Sequence, residues 1–258
     1  MIDTNVNLFR WPFRRIAGDD PAVLVARLKQ KGVTKAWAGS FEALFCRDMA
    51  GVNARLASAS RDHGEGFIVP FGCVDPKLPD WQEDLRRCHE THRMPGIRVY
   101  PNYHGYTLDD PAFADLLEKA AARGLIVQVA LSMEDIRTQL PLMVVPPVDP
   151  APLAALIPRI PKLRLVLLNA GYWAHDDSPA IVSIRGAKNV YFDIAMNEGI
   201  DGLARLVDAT SSERVVFGSH SPFFYFESAV LKVRSAGLSV DQERALYERN
   251  ASSLLSSV

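Results

Sequence analysis

The sequence predicts one α/β domain over residues 1–258, a (β/α)8 TIM barrel with an extra C-terminal helix. Three observations predict it. Eight short apolar segments, each followed by a longer amphipathic one, begin near Ile2, Val33, Phe67, Gly96, Leu125, Arg164, Asn189 and Arg214. Successive starts lie 25 to 39 residues apart, the length of a βα unit. No helix is opened by a G-x-G-x-x-G or Walker-type loop, so a doubly wound nucleotide-binding sheet loses its main support.

Each element has a local reason. In the first strand Asp3, Asn5 and Asn7 alternate with apolar positions, which points two amides into the barrel mouth. The third strand ends at Phe71-Gly72-Cys73. In the fourth, Arg98 and Tyr100 share the parity opposite to Ile97 and Val99, so a guanidinium enters the lumen. Asp110-Pro111 reads as an N-cap followed by proline at the first helical position. Phe113, Leu116, Leu117, Ala120 and Ala121 then form a helical stripe that Arg123-Gly124 ends. The fifth strand presents Gln128 and Ala130 together. From about Ser132 to Asp149 the prolines 141, 146 and 147, with Pro150 just beyond, preclude a continuous helix, and the segment reads as a long rim loop. The sixth strand ends at Asn169, Ser178-Pro179 repeats the capping device, the seventh ends at Asp193 and the eighth at His220. The extra helix runs roughly from Val240 to Leu255.

Composition narrows the function classes. Lys plus Arg total 29 against 30 Asp plus Glu, with no basic block, so no nucleic-acid partner is expected. The apolar runs Leu125 to Leu131 and Leu163 to Leu168 are far shorter than a bilayer span, so no membrane partner is expected either. The N-terminus shows no signal-peptide pattern, and Cys46, Cys73 and Cys88 form no CxxC pair. Reduced thiols in a cytoplasmic protein are the expectation.

Chemistry in such a barrel collects at the C-terminal ends of the strands. His220 there reads as a general acid or base, or as a hydrogen-bonded space filler. Arg98 reads as a carboxylate clamp, or as the structural partner of Asp193 or Asp3. Asn5, Asn7, Gln128 and Asn169 line the same cup, either to hold a small molecule or to satisfy one another. Arg137 on the long loop reaches the same ligand or lies in solvent. His104, His175 and His220 all follow strands and are candidates for one rim cluster. Ser219 adjoins His220, but neighbours on a strand face opposite ways, which argues against a triad. Cys73 reads as inert packing, and Phe223, Phe224 and Tyr225 are placed to close the mouth.

At these strand ends the chain resembles a known family. The opening Ile2-Asp3-Thr4-Asn5-Val6-Asn7-Leu8 resembles the IDTHxHL start of the amidohydrolase-2 (amidohydrolase-related) family, which includes the aminocarboxymuconate semialdehyde decarboxylase type. Gly96-Ile97-Arg98-Val99-Tyr100-Pro101 is similar to its G-[IV]-[KR]-x-x-P fourth strand, and residues 214–222 to its RVLFGSDxP eighth. Asn250-Ala251 fits its closing helix. The resemblance implies hydrolase or decarboxylase chemistry on a small, anionic organic molecule, with pairing of two copies common. It also implies that the metal-ligand positions are Asn5, Asn7, Ala130, Asn169 and His220, none with the expected ligand. One imidazole and three amides hold zinc poorly. The expectation is therefore an enzyme with no metal and no cofactor, with His220, Arg98 and Asp193 in catalytic roles. Asn5, Asn7, Gln128, Arg137, Asn169 and His104 would contact substrate. The alternative is a noncatalytic binding relative.

Overall fold

A computed structural model describes residues 1–64 and 66–256. Eight parallel strands lie in sequential order: β1 (Ile2–Leu8), β2 (Lys35–Ser40), β3 (Ile68–Cys73), β4 (Gly96–Val99), β5 (Ile126–Ala130), β6 (Arg164–Leu168), β7 (Val190–Asp193) and β8 (Val215–Val216). The sheet closes where Thr4 N–H donates to Phe217 O and Asn7 N–H to Ser221 O, both at 2.8 Å. Closure leaves no edge strand. The predicted starts fall within two residues of the observed ones.

Helices cover the outside: α1 (Pro21–Gln30), α2 (Met49–Gly64), α3 (Trp81–Arg86), α4 (Pro111–Ala122), the single turn α5 (Leu153–Leu156), α6 (Pro179–Gly186), α7 (Gly202–Ala209) and α8 (Phe226–Ser235). The chain closes with α9 (Val240–Arg244), a wider turn at Ala245–Arg249 and α10 (Asn250–Ser256). Asp110 caps α4 by accepting from Ala112 N–H at 2.9 Å, and the predicted stripe of α4 is buried against the barrel. At α6 the capping device is only partly realised: Ser178 stands at the cap, but its side chain makes no capping bond. The segment from Ser132 to Asp149 holds a short helical turn, Ile136–Thr138, and a tight turn closed by Met143 N–H donating to Leu140 O at 2.8 Å. Its limbs are tied by Gln139, whose amide accepts from Val145 N–H at 2.7 Å and donates to Val145 O at 3.0 Å. Among the described residues no helix is long and apolar enough to cross a membrane.

A bulge between Asp3 and Val6 in the β1–β2 register changes what the first strand presents. Asp3, Thr4, Asn5 and Asn7 are all buried, so the polar positions are divided among the lumen and the β1–β8 seam.

Candidate ligand site at the barrel mouth

The lumen is polar and buried at its centre. Arg98 from β4 is 1% exposed. Its Nε donates to Gln128 Oε1 at 2.9 Å, and its Nη1 to Val6 O and Asn7 Oδ1 at 2.8 Å each. Its Nη2 donates to Thr4 O at 3.4 Å and Trp37 O at 3.2 Å. Gly39 makes room for it, since a Cβ there would lie 2.8 Å from Arg98 Cδ. The acceptors are neutral oxygens. The anticipated ion pair with Asp193 or Asp3 is replaced by carbonyl and amide groups, because the guanidinium reaches along the floor towards β1 and β2. Gln128 completes this layer by donating to Thr4 O at 2.8 Å.

A second layer joins β1, β6, β7 and β8. Asn5 Nδ2 donates to Asp193 Oδ2 at 2.6 Å and Asn169 Oδ1 at 2.8 Å. Asp193 Oδ1 accepts from Asn169 N–H at 2.8 Å, and Asn169 Nδ2 donates to Ser132 O at 2.6 Å. Asp3 accepts from Ser219 Oγ at 2.5 Å and Ser219 N–H at 3.0 Å. Ser219 thus bonds to Asp3 and not to His220, so no triad forms. Burial raises the Asp3 carboxyl to about 7 and the Asp193 carboxyl to about 6.

His220 is sealed. Its Nε2–H donates to Met133 O at 2.9 Å, while Nδ1 accepts from Asn7 Nδ2 at 3.2 Å. This is the neutral tautomer with both nitrogens occupied. Burial lowers its pKa to about 4. The rings of Phe223 and Phe224 lie 5.3 and 5.2 Å from it. Phe223 also packs against Trp11 at 4.9 Å, and Arg14 stacks on Phe223 while pairing with the buried carboxylate of Glu134. Tyr225, by contrast, is exposed and closes nothing.

The five strand-end positions do not fit a divalent cation. Ala130 has no donor atom, the oxygens of Asn7 and Asn169 accept from Arg98 and Asn5, and both His220 nitrogens are engaged. The Arg98 charge stands in contact with Asn7, which opposes a second cation there. Among the described residues no group of three or more His, Cys, Asp or Glu side chains is arranged to hold a metal ion. His104, His175 and His220 bond separately to Ala43 O, Asn197 Oδ1 and Met133 O.

Space remains beside this plug. A cavity of about 490 Å³ opens over the C-terminal ends of β5 to β8, lined by Ser132 and Glu134 after β5, Asn169, Trp173 and His175 after β6, and Arg205 from α7, among others. Asn169 is the one residue of the expected substrate set on its wall. The structure brings Arg98, Asn5, Asn7, Gln128, Asp193 and His220 together beneath the mouth. His104 is turned away, with Nε2 donating to Ala43 O at 2.9 Å. Arg137 lies in solvent, paired with Asp135 on its own turn. The sequence reading missed Trp173, Met196, Glu198 and Arg205 as cavity residues. They sit on rim loops or a first helical turn, where no strand alternation marks a direction.

The chain matches one family along nearly its whole length. A family model described as amidohydrolase, the amidohydrolase-2 model, covers residues 2–256. The chain belongs to the amidohydrolase-2 family. Solved structures agree on the architecture. A 2,6-dihydroxybenzoate decarboxylase from Rhizobium superposes with a TM-score of 0.73 at 14% identity, covering 98% of this chain and 99% of that one. A 5-carboxyvanillate decarboxylase from Sphingomonas paucimobilis gives 0.73 at 16%, covering 90% and 82%. A dihydroxybenzoic acid decarboxylase from Polaromonas, with bound manganese and the inhibitor 2-nitroresorcinol, gives 0.72 at 16%, covering 90% and 85%. At such identities these amidohydrolase-2 neighbours speak for the fold alone. No curated protein matches in sequence.

Proposed function

We infer that this amidohydrolase-2 barrel binds a small anionic organic molecule, of the size of a hydroxybenzoate, in the cavity over β5 to β8, and does so without a divalent metal. The observation that carries the reading is the pairing of an open cavity with a strand-end cup in which Ala130 offers no donor atom and Asn7 Oδ1, Asn169 Oδ1 and both His220 nitrogens are already engaged. Trp173 and Phe224 offer flat apolar walls, while Ser132, Asn169 and His175 offer polar points, the usual make-up of a small-molecule site. Glu134 and Asp135 are neutralised by Arg14 and Arg137, so they do not repel an anion at full strength. The neighbours named for dihydroxybenzoate and carboxyvanillate supply the ligand class.

The binding reading leads because His220, the expected proton carrier, is closed off from the cavity and stays neutral above about pH 4. A second reading, metal-free decarboxylation or hydrolysis, is favoured by His175. Its imidazole lines the cavity and is oriented by Nε2 donating to Asn197 Oδ1 at 3.3 Å. Without a cation such an enzyme lacks metal-assisted charge stabilisation, so only a reactive substrate would serve.

Calorimetric titration of 2,6-dihydroxybenzoate into chelator-treated protein, with chromatography of the products, tests both. Binding unchanged by chelator or added manganese, with no product, supports the binding reading. Product formed in chelator and lost in His175→Ala supports the second. Binding that requires manganese overturns the metal-free account.

A further inference from the structure

One corner of the cavity carries donors that nothing in the protein uses. Arg205, on the first turn of α7, lines the cavity, and no carboxylate lies within ion-pair distance of its guanidinium among the described residues. Of the acids that share the wall, Glu134 pairs with Arg14 and Asp135 with Arg137, while Glu198 forms no ion pair among the described residues.

Behind Arg205 stands Asn197, which is 4% exposed. Its Oδ1 accepts from His175, and its Nδ2 has no partner at all. The start of α7 meets the same group. A Cβ on Gly202 would lie 2.6 Å from Asn197 Oδ1 and 3.8 Å from His175 Nε2, so glycine is needed for the helix to come this close.

We propose that Arg205, beside the His175 that Asn197 holds on the same wall, receives the carboxylate of the molecule in the cavity and makes the site select acids over neutral phenols of the same shape. This rests on the cavity being a ligand site, as inferred above. Arg205 is the specificity-determining contact, since its planar fork matches a carboxylate in two parallel hydrogen bonds. Asn197 is a positioning residue: it holds His175 on the cavity wall.

The test compares 2,6-dihydroxybenzoate with resorcinol, its counterpart without the carboxylate, by isothermal titration of the full chain. The wild type should bind the acid about tenfold or more tightly than resorcinol, the scale of one charge-assisted contact. In Arg205→Gln the acid should lose about that tenfold while resorcinol binding stays the same, and Arg205→Lys should keep part of the preference. Arg205 is exposed and makes no intramolecular side-chain bond among the described residues, so the variants keep the fold, which a thermal melt checks. Equal wild-type affinity for the two compounds, or an unchanged acid affinity in Arg205→Gln, overturns the corner while leaving the cavity reading in place. If neither compound binds, the cavity reading fails and the corner with it.

Discussion

Replacing Arg98 by methionine separates a structural centre from a ligand clamp. The side chain keeps most of its length but loses every donor, and five acceptors lose the bonds they receive from the guanidinium. Thr4 O retains its bond from Gln128, whereas Gln128 Oε1 and Asn7 Oδ1 are each left without a donor. Each stranded buried acceptor costs about 1–3 kcal/mol. Removing a fully desolvated cation returns part of this, and methionine fills part of the space. The net expectation is a loss of about 2–4 kcal/mol. In urea this lowers the unfolding midpoint by about 0.7–2 M, taking a slope of roughly 2–3 kcal/mol per molar. The affinity of the folded variant for 2,6-dihydroxybenzoate should be unaltered, because Arg98 does not line the cavity. A midpoint within about 0.3 M of wild type, a shift too small for two stranded acceptors, would refute the reasoning. So would a stable variant that has lost the ligand, since Arg98 would then reach it directly.

Stability should also follow the buried titrating groups. The Asp3 carboxyl, raised from 3.8 to about 7, keeps a proton in the folded chain that the unfolded chain releases. Its contribution is therefore complete below about pH 4 and is lost as pH rises towards 7, at about 1.4 kcal/mol per pH unit. His220, lowered from 6.5 to about 4, acts in the opposite sense over most of that range. Urea midpoints measured from pH 4 to 7 should therefore rise more with pH in Asp3→Asn than in wild type, and parallel curves would remove Asp3 from the account. Asn5→Ala strands Asp193 Oδ2 and Asn169 Oδ1 and should cost about 2–4 kcal/mol. Its melting temperature should fall by about 4 °C or more, and an unchanged melt would show that the amide network contributes nothing. Arg137→Ala, which removes an exposed pair, should leave the thermal melt unchanged but weaken 2,6-dihydroxybenzoate in a calorimetric titration, because it bares the Asp135 carboxylate on the cavity wall.

The sequence by itself determined the barrel, its family and the polar character of its interior. Strand spacing is a local property of the chain, and side-chain alternation along a strand assigns Arg98, Gln128 and Asn5 to the lumen before any contact is known. Proline placement marked the rim loop just as directly. Tertiary structure decided everything that depends on which groups meet. Alternation fixes the side of the sheet but not the partner, so only the closed barrel shows Arg98 consumed by carbonyl and amide oxygens and His220 sandwiched between Met133 O and Asn7. The cavity is more distant still from the sequence. Trp173, Met196 and Arg205 come from three separate segments without periodicity, and they converge only because β6 and β7 stand side by side and Gly202 lets α7 settle onto Asn197.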